Sequence, residues 1–207
     1  MKPNIEKLDK FTIISPKSAK NPERSQLNLR QKTISVIAIS NWWQMFLIAV
    51  GSASSIIYPH VPLVGFAAVS GNTLTRKKAL ITTMSIWFAN QLYGFTIRQY
   101  PPTLESLTWG LVMGLGILLV TYLVTLKPKF SRHNFQGYLL WLAIAIVGGY
   151  AIYQGSILLI AQLMGGHEFS SAILWGIFVK DVIWSAALSG VHGCALLMNK
   201  AIAHNRY

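Results

Sequence analysis

Residues 34–75 read ISVIAISNWWQMFLIAVGSASSIIYPHVPLVGFAAVSGNTLT, an apolar stretch broken by Pro59 and Pro62. Its length decides the fold, because a helix needs about 20 residues to cross the hydrocarbon core, so the stretch is long for one crossing and tight for two. Four further apolar runs follow, at about 79–97, 104–126, 137–163 and 170–199, each near or above that length. The chain therefore crosses a membrane five times or six.

Charge parity separates the two counts, since short loops rich in Lys and Arg stay on the cytoplasmic side. With YPHVP as an outer turn, sixteen of the eighteen basic residues fall inside: the first 32 residues, RKK at 76–78, KPKFSRH at 127–133, and the C-terminus with Lys200 and Arg206. Arg98 alone falls outside, and Lys180 falls within a helix. A single crossing over 34–75 would put the basic arm on the opposite side from RKK and KPKFSRH. The expected fold is thus an all-α integral membrane bundle of six transmembrane helices with both termini cytoplasmic. The second crossing, 61–75, is short or broken, about 22 Å long as a helix.

Composition agrees with this class. Of 207 residues, 53% are hydrophobic and 12% charged, with a mean hydropathy of +0.45, whereas soluble domains carry about 25% charge. The net charge of +12 follows the pattern of loop charges that orients a membrane protein, which argues against a nucleic-acid partner and for the lipid bilayer as the first one. Residues 1–32 form a basic cytosolic tail without helical periodicity, expected to be disordered; 33–200 form the transmembrane domain; 201–207 are a short cytosolic C-terminal tail. Cys194 is the single cysteine, so neither a disulfide nor a cysteine-based zinc site is available.

Polar groups recur at helical spacing inside the apolar runs. Thr83, Trp87, Asn90 with Gln91, Gly94 and Arg98 fall on one face of the third helix, and Asp181, Ser185, Ser189 and His192 on one face of the sixth. Such stripes either bond neighbouring helices or line a site. A lone Asp near the bilayer centre costs at least about 2.5 kcal/mol, so Asp181 serves either as a ligand group or in helix packing. The outer turns YPHVP, RQYPPTLE and MGGHEF gather Tyr58, His60, Arg98, Tyr100, Glu105, His167 and Glu168 at one end. Expected substrate-binding residues are Asn90, Gln91, Arg98, Glu105, Glu168 and Asp181. Arg98 offers planar donors to an anionic or carbonyl-bearing solute, or else pairs with Glu105 or reaches lipid headgroups.

His60, His167 and His192 are weak metal candidates without a ligand spacing, and no metal or other cofactor is expected. No His-Glu-x-x-His, Gly-x-Ser-x-Gly or Walker pattern occurs. Catalytic residues are not indicated; an enzyme reading rests on Asp181 and His192 as the one intramembrane acid–base pair.

Six helices, cytoplasmic termini, the Pro-bounded short crossing and polar groups at the outer end together resemble the substrate-binding S components of energy-coupling-factor transporters. Within AVGSA, Ala49 and Ala53 match the Ala-x-x-x-Ala spacing of that family's docking face. The resemblance implies a small polar solute held in the outer half of the bundle, with a transmembrane coupling subunit and cytosolic ATPases as partners in the cell membrane. The alternative is a non-catalytic assembly factor or small subunit of a larger membrane complex.

Overall fold

The computed structural model describes the backbone of residues 22–132, 135–163 and 170–204, and the side chains of residues 40–131, 135–163 and 170–198. His167 and Glu168 lie outside the described residues. Within them the chain is all-helical and contains no strand: α1 (Pro22–Ile57), α2 (Leu63–Thr73), α3 (Arg76–Thr96), α4 (Leu104–Val124), α5 (Phe135–Leu163) and α6 (Ser171–His204), with a 3-10 turn at Lys129–Arg132. The helix expected to begin near residue 34 starts at Pro22. Proline is favoured at the start of a helix, and no Pro or Gly follows until Gly51 to stop it.

Among the described residues, three helices are long and apolar enough to cross a membrane: α4, α5 and the Ser171–Met198 portion of α6. The arrangement of apolar side chains agrees. Leu163 is 74% exposed, Phe135 73%, Leu115 and Leu197 69%, far more apolar surface than a water-facing bundle carries. Helix α3 matches α4 in length at 21 residues, but Arg76, Lys77, Lys78, Asn90 and Gln91 make it more polar.

Helix α2 is the centre of the fold. It has only 11 residues, yet every position from Val61 to Gly71 is buried, and it packs against α3, α4, α5 and α6. A helix apolar on all sides has no face to give to solvent and belongs in the interior. Small residues bring the neighbours close. A Cβ at Gly65 would lie 2.7 Å from the Asp181 carbonyl oxygen of α6, so that crossing brings backbone against backbone.

A buried helix leaves unpaired N–H groups at one end and carbonyls at the other. Pro62, at the N-terminal boundary, supplies no side-chain cap. The carboxylate of Asp181 does so instead, accepting hydrogen bonds from the backbone of Gly65 at 2.8 Å and of Val64. At the other end Lys127 Nζ donates to the Leu74 carbonyl at 2.8 Å. An anion at the N-terminus and a cation at the C-terminus both complement the helix dipole. Short polar bridges tie the remaining helices: Thr121 to Thr83 at 3.1 Å across α4 and α3, and Tyr138 to Ser189 at 3.4 Å across α5 and α6.

Candidate functional site

The polar groups beyond the N-terminus of α2 are assembled by the last turn of α1. The helical bond from Tyr58 N to Ser54 O carries that turn past Ile57, so Ser55 and Tyr58, three residues apart, share one face. Arg98, just beyond α3, donates through Nη2 to the Ser55 carbonyl at 2.8 Å, and its guanidinium lies 5.4 Å from the Tyr93 ring centroid. Lys180 of α6 places its ammonium 5.4 Å from the Tyr58 ring centroid. Trp184, one turn further along α6, meets the same Tyr58 ring edge-on at 6.4 Å. Two cations from distant parts of the chain therefore converge on one helical turn. The Ser55 hydroxyl, on the residue whose carbonyl holds Arg98, is buried without a hydrogen-bond partner.

His60 sits in the turn that follows and is exposed. Desolvation of its ring, reinforced by the positive charges of Lys180 and Arg98, holds its pKa below the ordinary histidine value. The imidazole therefore feels both cations.

Arg98 is positioned by backbone geometry. The chain reverses at Gln99, whose φ is 55°, and folds Tyr100 back over Gly94, with Tyr100 N bonded to the Gly94 carbonyl at 3.1 Å. Gly94 is required there, because a Cβ would lie 2.8 Å from the Tyr100 ring.

The expected site residues separate into several environments. Arg98 joins Lys180, Tyr58 and His60. Asp181, 1% exposed, caps α2. Gln91 lies against Gly110 of α4 in an open groove of about 260 Å³ between α3 and α4, lined also by Trp87, Phe88, Leu92 and Phe95. The Trp87 indole donates to the Gly110 carbonyl at 2.9 Å and so closes one wall. Asn90, one residue before Gln91, is partly exposed. Glu105 is exposed in the first turn of α4, where it complements the helix dipole beside the Thr103 cap, whose side chain accepts from Ser106 N at 3.2 Å. Ala49 and Ala53 both face outward from α1.

Ser55, Tyr58 and Lys180 belong to the basic cluster but were not among the expected binding residues. The signal for Lys180 was its isolation inside an apolar run; its meeting with Arg98 is a tertiary fact. Among the described residues no three metal-ligating side chains lie together. His192 meets the Trp43 ring at a tilt, with centroids 4.8 Å apart, about 16 Å along α6 from the Asp181 level. Comparison with family models, with characterised proteins and with solved structures finds no match for the chain.

Proposed function

We propose that this chain is a multi-pass protein of the cell membrane that binds a small polar solute at the outer end of its helical bundle, for transport with a partner coupling and ATPase module. The observation that carries this reading is the meeting of Arg98, Lys180, Tyr58 and His60 at one end of an otherwise apolar bundle, since binding sites place a few polar groups within apolar walls. Six crossings with both termini cytoplasmic complete the proposal. Supporting the orientation, Lys78, bonded to Ser40 and Asn41, and Lys127, bonded to Leu74, lie at the opposite end of the helices from Arg98, as the positive-inside rule asks. Ala49 and Ala53 are exposed for the coupling subunit.

A second reading, an assembly factor or small subunit, is favoured by the α3–α4 groove. The Gln91 amide lines that groove, where a helix of a larger complex would offer it a hydrogen-bond partner.

Native mass spectrometry of mildly solubilised protein distinguishes the two. A retained small molecule together with coupling and ATPase subunits supports transport; stoichiometric subunits of one respiratory or photosynthetic complex, with no small molecule, support assembly. Topology is tested by cysteine labelling after Cys194 is replaced. His60→Cys and Pro102→Cys react from outside and Lys77→Cys and Phe130→Cys do not; external labelling at position 77 overturns the six-crossing arrangement.

A further inference from the structure

Arg98 and Lys180 present two positive charges to one turn of α1, and the carboxylates of the described chain are placed elsewhere. Asp181, adjacent to Lys180 in sequence, turns its carboxylate to the amides of Gly65 and Val64. Glu105 is exposed on the first turn of α4 and makes no ion pair with Arg98. Arg98 is instead satisfied in part by the Ser55 carbonyl, and Lys180 by the face of Tyr58. A carbonyl and an aromatic face orient a cation without neutralising it. Five N–H donors of a guanidinium also exceed what one carbonyl accepts. Among the described residues, the chain thus turns two cations toward one turn of α1 and sets no carboxylate against either.

We infer that Arg98 and Lys180 form an oxyanion site, which takes the carboxylate, phosphate or sulfate group of its ligand at the turn of α1 that they share. This rests on the solute-binding reading above and gives that solute its chemical class. Arg98 is the selective member, because its planar fork matches two oxygens of one oxyanion, whereas Lys180 acts as a point charge. Tyr58 holds the ammonium in place, and the Ser55 hydroxyl, on the residue whose carbonyl takes Arg98, is buried without a hydrogen-bond partner. Two sources carry this chemistry: a soluble anionic solute and the headgroup of an anionic lipid in the adjoining leaflet.

Trp184, edge-on to Tyr58, is a built-in reporter of ligand binding there. Full-length protein in a neutral detergent is titrated with succinate, sulfate and inorganic phosphate, and separately with phosphatidylglycerol or phosphatidylcholine vesicles. Tryptophan fluorescence is followed, with Trp184→Phe identifying the local signal. Saturable binding of a soluble anion, roughly tenfold weaker in both Arg98→Gln and Lys180→Gln, is the expected result. Lys180→Gln removes no hydrogen bond seen in the structure, so it remains informative even if Arg98→Gln fails to fold. A response confined to phosphatidylglycerol vesicles, and lost in the same variants, keeps the oxyanion assignment with a lipid as its source and removes the solute reading. If no anion gives a response that these variants weaken, the inference is overturned; a neutral or cationic molecule retained in native mass spectrometry would then leave solute binding standing. An anion response that appears only in Glu168→Gln also overturns it, because the chain itself would then supply the counter-charge.

Discussion

Oδ1 of Asp181 accepts a hydrogen bond of 2.8 Å from the backbone amide of Gly65, 116 positions earlier in the chain. Neither helix involved is complete in its bonding without the other, because the buried start of α2 has no cap of its own. Asp181→Ala leaves the amides of Gly65 and Val64 buried and unpaired. At about 1–3 kcal/mol for each unsatisfied group, the expected loss is about 2–6 kcal/mol. Asp181→Asn keeps one acceptor and loses less. Equilibrium unfolding in mixed micelles measures both, and equal stability of Asp181→Ala and the unmodified protein would remove the cap from the account.

Gly65→Ala tests the same contact from the other side. Its Cβ would lie 2.7 Å from the Asp181 carbonyl oxygen and 3.1 Å from Ser185 Oγ. The first is backbone and cannot rotate away, so α2 must move off α6. A loss of about 1–3 kcal/mol is expected, the range for overpacking a close interior contact. A variant as stable as the parent would show that the two helices have slack.

At the opposite end of α2, Lys127→Met removes the ammonium that bonds the Leu74 carbonyl while keeping most of the side chain's bulk. The expected cost is about 1 kcal/mol, within the range for a charge at a helix terminus. Combined with Asp181→Asn, the two losses add, since they act on separate ends of one rigid element. Marked non-additivity in the double variant would show that α2 responds as a whole rather than end by end.

Gln99 holds a left-handed φ of 55°, which costs a residue with a Cβ about 1–2 kcal/mol. Gln99→Gly relieves this and gives back part of it in unfolded-chain entropy. The net gain expected is about 0.5–1 kcal/mol. Thermal unfolding of the variant reads this directly, and a fall in stability would mean that the Gln99 side chain makes a compensating contact.

His60 is expected to make anion binding beside Arg98 and Lys180 depend on pH. Desolvation of its ring holds its pKa below the ordinary histidine value, reinforced by the charges of Lys180 of α6 and Arg98 at the end of α3; Tyr58 is the neighbouring phenol at the end of α1. A bound oxyanion offsets those charges and raises the imidazole pKa. Binding therefore takes up a proton in the window between the lowered free value and the raised bound value, and affinity for sulfate, whose own charge is constant there, rises as the pH falls through that window. In His60→Ala the slope disappears. Sulfate affinity that weakens on acidification would overturn this linkage.

The helices after residue 76 were legible because long apolar runs ended by Pro or by basic clusters leave little else to form. The short second helix was also foreseen, from Pro59 and Pro62, but its place at the centre was not. Eleven residues without a polar face carry no periodicity, and so no direction to a neighbour. The inward stripes on the third and sixth helices met the structure at Thr83, Asp181, Ser185 and Ser189. Helical spacing assigned each of these to a face but named no partner, so Asp181 remained open between ligand and packing. For the same reason Gln91 and Arg98, seven residues apart on one stripe, reach different surroundings: Gln91 meets α4, whereas Arg98 passes the end of its helix and reaches back to α1.

The burial of α2 from its first residue to Gly71 has a consequence for how this protein is made. At about 16 Å it is shorter than a segment that partitions stably into a bilayer alone. Its N-terminal amides are met by a carboxylate that the ribosome adds 116 residues later. While α3, α4 and α5 emerge, this segment has to wait beside them with its first turn unsatisfied, and only the arrival of α6 seals it. Chains that stop before residue 181 thus expose an unfinished helix start, the kind of defect by which a quality-control protease tells an incomplete product from a finished one.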